Sequence, residues 1–371
     1  MSVLASASVY ASRIVRLRQE MSQQGIDAVL LSVGHDMPYL VGYQAMPLER
    51  LTMLIIPSQG KATLIIPRLE APRVQDLGDL FELLPWGETE DPVALTHKCL
   101  GDARSVAVGD QMWARFLVEL LALRPNAQYV RAQQLMKSLR AVKDQAEIDA
   151  LVAVGAAADR VAMQLQSGNI PLVGRTEAQV SADISARLLA EGHDKVNFAI
   201  VAAGENAASP HHHPGSRVIQ RGEIVLCDFG GTMNGYCSDI TRCVHVGPIP
   251  ADIQKAYDVL QRAQKAAVDA AVVGATCESV DKHARDIIAA AGYGDFFVHR
   301  TGHGIGMEEH EDPYMVAGND DLISAGHAFS VEPGIYIPGK WGMRLEDIVV
   351  ATDAGPMPMN KVNHGLIAID A

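Results

Sequence analysis

Long apolar runs, paired cysteines and an excess of positive charge are all missing from this 371-residue sequence. No apolar run is long enough to cross a bilayer, which argues against an integral membrane protein. The first 21 residues lack the apolar core of a signal peptide. Lys and Arg number 31 against 44 Asp and Glu, and the net charge of −13 disfavours nucleic acid and anionic membranes as partners.

Cysteine is also scarce, and its five copies show no CxxC spacing. The cysteines are Cys99, Cys227, Cys237, Cys243 and Cys277. An odd number without metal or disulfide spacing is typical of buried thiols in a reducing compartment. We therefore expect a cytoplasmic protein.

What the sequence does have is length and apolar content sufficient for two domains, with 48% hydrophobic and 20% charged residues. We expect an α/β domain over residues 1–138 and a second domain over 139–371, beginning with an Ala-rich helix over 144–167. Predicted strands of the first domain are Asp27–Val33, Leu51–Pro57, Ala62–Pro67 and Ser105–Val108. Predicted helices are 8–24, 68–77, 91–100, 112–123 and 132–140.

The second domain contains an internal repeat. The pattern at 174–192 aligns with 274–292 at an offset of 100, and each copy follows a long helix, the second of these over 251–272. The pattern at 222–230 then aligns with 326–334 at an offset of 104. We therefore expect two helix pairs, each followed by a β-hairpin.

The first hairpin brings two aspartates together. Asn234-Gly235 is the dipeptide that best closes a two-residue turn, and β-rich runs flank it at Ile224–Phe229 and Tyr236–Val246. If this dipeptide is the turn, Asp228 and Asp239 share a face as diagonal neighbours, roughly 7 Å apart. Two carboxylates on an apolar hairpin need a counter-charge, and a metal ion is a simple solution.

The second hairpin supplies two more acids, Glu332 on a strand over Ala328–Glu332 and Glu346 on a strand over Met343–Val350. His303 lies between two glycines, where the backbone can approach a ligand closely. One histidine and four carboxylates exceed what a single ion needs, whereas two divalent ions balance the charge. Hard oxygen ligands favour Mn²⁺, with Co²⁺, Zn²⁺ and Fe²⁺ as alternatives. Such a pair of ions can share a hydroxide and lower the pKa of water.

Several motifs resemble those of the metallopeptidase family that includes prolidase, aminopeptidase P and methionine aminopeptidase. They are SPHHHPG, VLCDFGGTMNGYCSDITR, HRTGHGIGMEEHEDP, FSVEPGIY and MRLEDIV. PYLVGY and LTMLIIP resemble the N-terminal domain of prolidases, aminopeptidases P and creatinases, which methionine aminopeptidases lack. The resemblance implies an α+β protein. Its catalytic domain would have the pita-bread fold, with a pseudo-two-fold repeat of helix pair and hairpin, preceded by a smaller α/β domain.

The resemblance also implies roles for these residues. Asp228 would chelate one ion, Asp239 and Glu346 would bridge both ions, and His303 and Glu332 would complete the metal shell. Glu332 would also carry protons to the leaving amine.

Histidines and an arginine outside the ligand set also match family positions. His310 would stabilise the oxyanion, His299 would lie near the proline pocket, and His211 would bind substrate. The run 211–213 leaves open whether His212 does this instead. Arg344 would order the last glutamate or bind a substrate carboxylate.

We therefore expect an enzyme that uses metal-activated hydroxide to cleave Xaa-Pro bonds in small peptides, which carry proline at the second position. Compact bacterial Xaa-Pro dipeptidases are the closest match. The alternative is aminopeptidase P, because some prolidases carry an arginine shortly after the second histidine and HEDPYMVAGN has none. Remote alternatives are a creatinase-like enzyme, a lyase and a non-enzymatic binding protein, although such relatives would be expected to lose ligands. A homodimer is expected from the resemblance alone.

Overall fold

A computed structural model describes residues 6–370 of the chain. The described residues divide into two compact units, one ending at Arg140 and the other beginning at Ala141. Within them, no helix combines the length and the apolar character needed to cross a membrane.

The first unit is built on one mixed sheet. Its strands are β1 (Ala28–Leu31), β2 (Met53–Pro57), β3 (Ala62–Pro67), β4 (Phe81–Trp86), β5 (Ser105–Val108) and β6 (Gln128–Arg131). Its helices are α1 (Ala7–Gln24), α2 (Asp36–Val41), α3 (Pro92–Cys99), α4 (Ala114–Leu123) and α5 (Gln133–Arg140). The strand order is β4-β3-β2-β1-β5-β6. The pairs β1–β5, β5–β6 and β3–β4 are parallel, which confirms the predicted α/β character of this unit.

One predicted helix of this unit is wrong. The segment 68–77 contains only a short 3-10 turn over Ala71–Arg73. Pro72 has no N–H to donate and its ring prevents the helix from continuing. The strands β4 and β6 were not predicted, because both are partly exposed and lack a run of β-branched residues.

The second unit contains four long helices and twelve strands within residues 141–370. The helices are α6 (Gln145–Gln166), α7 (Glu177–Ala190), α8 (Ala251–Ala270) and α9 (Cys277–Ala290). The first strands are β7 (Lys195–Ala203), β8 (Ile224–Met233), β9 (Tyr236–Cys237), β10 (Ile240–Val246), β11 (Gly302–Gly304) and β12 (Glu311–Met315). The others are β13 (Ala328–Val331), β14 (Gly334–Ile337), β15 (Trp341–Arg344), β16 (Asp347–Thr352), β17 (Gly355–Pro358) and β18 (Ile367–Ile369). One sheet has the order β18-β10-β8-β7, a second has the order β12-β11-β13-β16-β17, and β14 pairs with β15.

The internal repeat is present in this unit. The pairs α6/α7 and α8/α9 each precede a set of strands. Thr176 and Thr276 cap α7 and α9 in the same way, each accepting a hydrogen bond from the backbone three residues later. Thr176 also bridges to Val218 and Thr276 to Leu322, so the partners stand at the predicted offset of 104.

The first hairpin has the predicted register. Asn234 and Gly235 both have positive φ, 52° and 86°, as a type I′ turn requires. Asp228 faces Thr241 across β8 and β10, so facing positions add to the same value as the turn residues. Asp239 lies at a break between β9 and β10, so the predicted strand over Tyr236–Val246 is interrupted next to this aspartate.

The second hairpin differs from its predicted form. The segment Met343–Val350 is not one strand, because residues 345 and 346 separate β15 from β16. The two strands belong to different sheets, so the chain must turn between them. Glu346 sits at this turn, and Glu332 likewise lies just beyond the end of β13. Both glutamates therefore stand at strand ends rather than within strands.

A continuous apolar core supports both sheets. It includes Leu226 of β8, Tyr257 of α8, Val280 of α9, Phe329 of β13 and Met343 of β15, all buried. Burial of this size is the main source of stability for the unit.

Four of the five cysteines are buried as free thiols, as predicted. Cys99 is exposed, which corrects the prediction for that residue, because it lies at the last turn of α3.

Candidate metal centre

The strands β8 and β10 supply the aspartates of the site. Asp228 lies within β8 and Asp239 directly before β10, and both carboxylates are buried, at 7% and 5% exposure. A buried carboxylate is expensive unless a cation or several donors compensate it. The surrounding hairpin therefore needs a source of positive charge.

The second sheet places a histidine opposite these aspartates. His303 is the middle residue of β11, between Gly302 and Gly304. A Cβ added to Gly302 would overlap the carbonyl oxygen of Ser330, and one added to Gly304 would overlap that of Asp312. The two glycines thus let β11 lie against its neighbours and fix the position of the imidazole.

Several of the predicted metal ligands lie close to one another. The His303 Nε2 atom lies 3.3 Å from Glu332 Oε1 and 3.7 Å from Asp239 Oδ2. One potential ligand atom each from Asp239, His303 and Glu346 lie within 4.8 Å of one another. Asp228 is linked to the group through Arg344, described below. All five predicted ligands line the same cavity.

Three carboxylate oxygens of the group are buried and have no hydrogen-bond partner among residues 6–370. They are Asp228 Oδ1, Asp239 Oδ1 and Glu346 Oε1. Buried acceptors without partners are rare in folded proteins and call for an explanation. Divalent cations fit this donor set, because carboxylate oxygens with one imidazole are ligands for such ions.

Burial and the neighbouring carboxylates change the pKa values of these groups. Burial, together with Glu346 and Asp228, raises the pKa of Asp239 well above its ordinary value. Burial, together with Glu332 and Asp228, raises the pKa of Glu346 well above its ordinary value. Burial raises the pKa of Glu332 to about 7, although Arg344 opposes the change. Without added positive charge, the site therefore favours protonated carboxyls.

Burial has the opposite effect on the histidines. It lowers the pKa of His303 to about 3, with a further contribution from His310. The His303 Nδ1 atom lies 3.1 Å from the carbonyl oxygen of Gly304, so Nδ1–H is the donor and Nε2 faces the carboxylates. A neutral imidazole held in this tautomer is the form that binds a metal ion.

Arg344 is the cation that the group already contains. Its Nη2 donates to Asp228 Oδ2 at 2.6 Å, and its Nε lies 3.9 Å from Glu332 Oε2. Nε also donates to Thr241 Oγ1, which donates in turn to Glu346 Oε2 at 2.7 Å. Arg344 thus orders the last glutamate through Thr241, without contacting that glutamate directly.

The carboxylates open into a cavity of about 560 Å³. It is lined by Phe198, Ile200, Pro210, His211, Asp228, Asp239, His299, Arg300, His303, Glu309, His310, Glu332, Arg344 and Glu346. This volume suits a small ligand rather than a folded protein.

The predicted histidines outside the ligand set occupy different places. His211, His299 and His310 line the cavity, and the ring of His310 stands edge-on to that of His303 at 4.1 Å. His212, the alternative substrate-binding residue, is not among the residues that line the cavity, and its Nε2 lies 2.8 Å from the buried carboxylate of Glu177. The run of three histidines gave no sign of this difference, because Glu177 is 35 positions away in the sequence.

Several residues that shape the site were not predicted. Tyr336 links Arg344 to His299. Its hydroxyl accepts a hydrogen bond from Arg344 Nη1 at 2.7 Å and lies 2.8 Å from His299 Nε2. Arg242 is fully buried and donates to the carbonyl oxygen of Glu346 at 2.6 Å. The positions of Thr241 and Arg242, two and three residues after Asp239, were an available signal. Tyr336 ends the motif FSVEPGIY, but the motif does not show that its hydroxyl contacts Arg344 and His299.

Comparison with known proteins is consistent with this geometry. A model of metallopeptidase family M24 matches residues 146–353, and one of the creatinase/prolidase N-terminal domain matches residues 13–142. The probable dipeptidase PepE of Mycobacterium tuberculosis is 43% identical over 373 residues, covering 98% of this chain and 97% of that protein.

Two solved structures have the same architecture over nearly the whole chain. The dipeptidase PepE from Mycobacterium ulcerans is 44% identical, with a TM-score of 0.93, and the match covers 98% of this chain and 99% of that one. The prolidase from Thermococcus sibiricus is 33% identical, with a TM-score of 0.92, and the match covers 97% of this chain and 99% of that one. The neighbouring prolidases have the pita-bread fold, which confirms the predicted fold class. The chain therefore belongs to metallopeptidase family M24 and is a peptidase.

Proposed function

We propose that this chain is an Xaa-Pro dipeptidase that uses two divalent metal ions. The observation that carries the proposal is a set of three buried carboxylate oxygens with no hydrogen-bond partner in the described part of the chain. They lie beside a neutral imidazole, at the wall of a small cavity. Four carboxylates and one imidazole would balance two divalent ions in charge, and Mn²⁺ suits the hard oxygen donors. Co²⁺, Zn²⁺ and Fe²⁺ are alternatives.

The proposed ligands follow the geometry of the site. Asp228, Asp239, His303, Glu332 and Glu346 would hold the ions. When bound, the two ions would supply Lewis-acid polarisation of the substrate carbonyl and a lower pKa for water. This function requires metal ligands that are already in place and shielded from water. The burial of these carboxylates is consistent with that requirement.

Glu332 has the position expected of a proton carrier. Its Oε1 accepts from Ser330 Oγ at 3.2 Å and faces His303, while its Oε2 lies on the side of Arg344. Its side chain lines the cavity, so it can exchange a proton with a bound peptide. We propose that it delivers a proton to the leaving amine.

The histidines and Arg344 would act on the substrate or on the ligands. We propose that His310 donates a hydrogen bond to the developing oxyanion, and that His211 and His299 contact the peptide in the cavity. Burial lowers the pKa of His310 below its ordinary value, so its ring is neutral near pH 7 and acts as a hydrogen-bond donor. Arg344 holds the Asp228 carboxylate in position through a hydrogen bond to Oδ2.

Selectivity for proline draws on the relatives. The Xaa-Pro bond is a tertiary amide without an N–H, so enzymes that must hydrogen-bond that group cannot hold it. The name prolidase attached to the Thermococcus sibiricus structure supports proline at the second position, and the name dipeptidase attached to PepE supports a two-residue substrate. A small-peptide substrate also fits the cavity volume.

Hydrolysis of matched peptides tests this proposal. The metal-stripped protein is reloaded with Mn²⁺ and given Ala-Pro, Ala-Ala and Ala-Pro-Ala at equal concentration. We expect Ala-Pro to have the highest kcat/KM, with chelator abolishing its hydrolysis. Faster cleavage of Ala-Pro-Ala would favour aminopeptidase P, and faster cleavage of Ala-Ala would contradict proline selectivity. Absence of any hydrolysis would contradict the proposal and favour a creatinase-like enzyme, a lyase or a binding protein.

Two further properties stay predictions. A homodimer and a cytoplasmic location are proposed from the family resemblance and the free thiols. Size-exclusion chromatography with light scattering measures the first, and cell fractionation measures the second.

A further inference from the structure

The cavity holds a second arginine that the proposed mechanism does not use. Arg300 lies three residues before His303 and lines the cavity together with Arg344. The guanidinium of Arg344 already donates hydrogen bonds to Asp228, Tyr336 and Thr241. Of the two arginines that line this cavity, Arg300 is therefore the one that can bind a ligand.

The side chain of Arg300 is positioned by an aromatic ring. Its guanidinium carbon lies 4.4 Å from the ring centroid of Tyr314, and Tyr314 on β12 faces His303 on β11 in the sheet register. Stacking of this kind fixes the plane of a guanidinium without using its N–H groups.

The guanidinium of Arg300 makes no ion pair or hydrogen bond with any residue between 6 and 370. Glu309 also lines the cavity, yet no carboxylate in that range lies within 4.0 Å of Arg300, the ion-pair distance met by Arg344 and Asp228 at 2.6 Å. A guanidinium offers five N–H donors in a planar fork that matches a carboxylate. An arginine held in a cavity with these donors unused is suited to binding an anionic ligand.

The charge of the loaded cavity tolerates an anionic group. Its lining has five carboxylates against two guanidiniums. Two divalent ions, as in the proposed function, would leave one net positive charge, and a bound hydroxide would bring the total to zero. The C-terminal carboxylate of a dipeptide carries one negative charge, whereas an internal peptide bond carries none.

We propose that Arg300 binds the C-terminal carboxylate of the dipeptide substrate and so determines the preference for dipeptides over longer peptides. This inference rests on the proposed function. Tyr314, in the segment that follows His310, supports the guanidinium of Arg300.

The test compares an acid with its amide. Wild type, Arg300→Met and Arg300→Lys are loaded with Mn²⁺ and assayed on Ala-Pro and on Ala-Pro amide, which lacks the terminal charge. We expect Arg300→Met to lower kcat/KM for Ala-Pro about 10- to 100-fold, mainly through KM, as for loss of a charged hydrogen bond. Hydrolysis of the amide should fall no more than about threefold. Arg300→Lys should give an intermediate loss, because a point charge replaces the fork.

Arg115→Met is the matched control, because Arg115 also stacks on an aromatic ring, at 5.0 Å from the centroid of Phe116, and is exposed in the other unit. It should leave both substrates unaffected. Inhibition by free proline and by prolinamide provides a second measurement, and Arg300→Met should weaken only the first. Metal content and circular dichroism confirm that each variant is loaded and folded.

An equal loss on acid and amide, in either Arg300 variant, would overturn the inference while leaving the dipeptidase proposal intact. Wild type that cleaves Ala-Pro and its amide equally well would also overturn it. Wild type that cleaves neither compound would instead contradict the proposed function.

Discussion

At the scale of single residues, three buried carboxylates are the strongest indication of a cation site. Asp228, Asp239 and Glu346 are each buried with one oxygen that has no hydrogen-bond partner among residues 6–370, and burial raises the pKa of Asp239 and of Glu346. Such groups destabilise the folded state on their own. Cations that bind the folded protein would offset this cost and stabilise it.

His310 provides a test that separates turnover from metal binding. Its ring contacts His303 and lines the cavity, but the proposal assigns it to the oxyanion rather than to a metal ion. We expect His310→Ala to lower kcat about 100- to 1000-fold, as for loss of an oxyanion donor. Metal content measured by mass spectrometry should stay at the wild-type value. Loss of metal in this variant would show that His310 belongs to the metal shell.

The pKa of Glu332 predicts how pH affects the metal-free protein. Its pKa is raised from 4.5 to about 7 in the folded state, so this group favours folding fully below about pH 4.5. That contribution is lost as the pH rises towards 7, because the folded protein binds the extra proton. The free energy of unfolding of wild type, minus that of Glu332→Gln, should therefore fall across this window.

Urea denaturation at several pH values, with chelator present, measures this difference. The buried histidines titrate in both proteins, so their effect cancels in the comparison. With saturating Mn²⁺, wild type should show no such fall, because bound ions keep the carboxylate ionised. A difference that grows with pH in the metal-free proteins would contradict the account.

At the scale of elements, the sequence predicts best what depends on neighbouring residues. The Asn234-Gly235 turn sets the register of β8 and β10 through local backbone preference, and hence the position of Asp228. The hairpin of Glu332 and Glu346 was less predictable. Its strands change sheets at the turn before β16, and that turn depends on contacts with distant elements.

The strand β11 offers an element-scale test. Gly302 has no space for a Cβ beside Ser330, so Gly302→Ala must displace the strand that carries His303. We expect a loss of about 1–3 kcal/mol in the free energy of unfolding, typical of overpacking. Affinity for Mn²⁺ should fall with it. Gly215→Ala is the control, because its Cβ would meet only the His213 carbonyl at 4.0 Å. Equal stability of the two variants would show that β11 is not closely packed.

At the scale of the whole molecule, the family and the two-domain organisation could be predicted from motifs in the sequence. The grouping of the five predicted ligands around one cavity followed too, because acids at matching places in two repeats indicate a shared centre. Positions fixed by distant partners could not be predicted. Glu177 contacts His212, which does not line the cavity, and Tyr314 of β12 supports Arg300.

The central claim is that this protein holds two divalent ions between its two hairpins. The most direct measurement is the number of metal ions per chain, determined by mass spectrometry after saturation with Mn²⁺ and removal of free metal. Asp320→Asn, at an exposed position outside the cavity, is the matched control for Asp239→Asn. The account predicts two ions in wild type and in Asp320→Asn, and fewer in Asp239→Asn. One ion or none in wild type would contradict it.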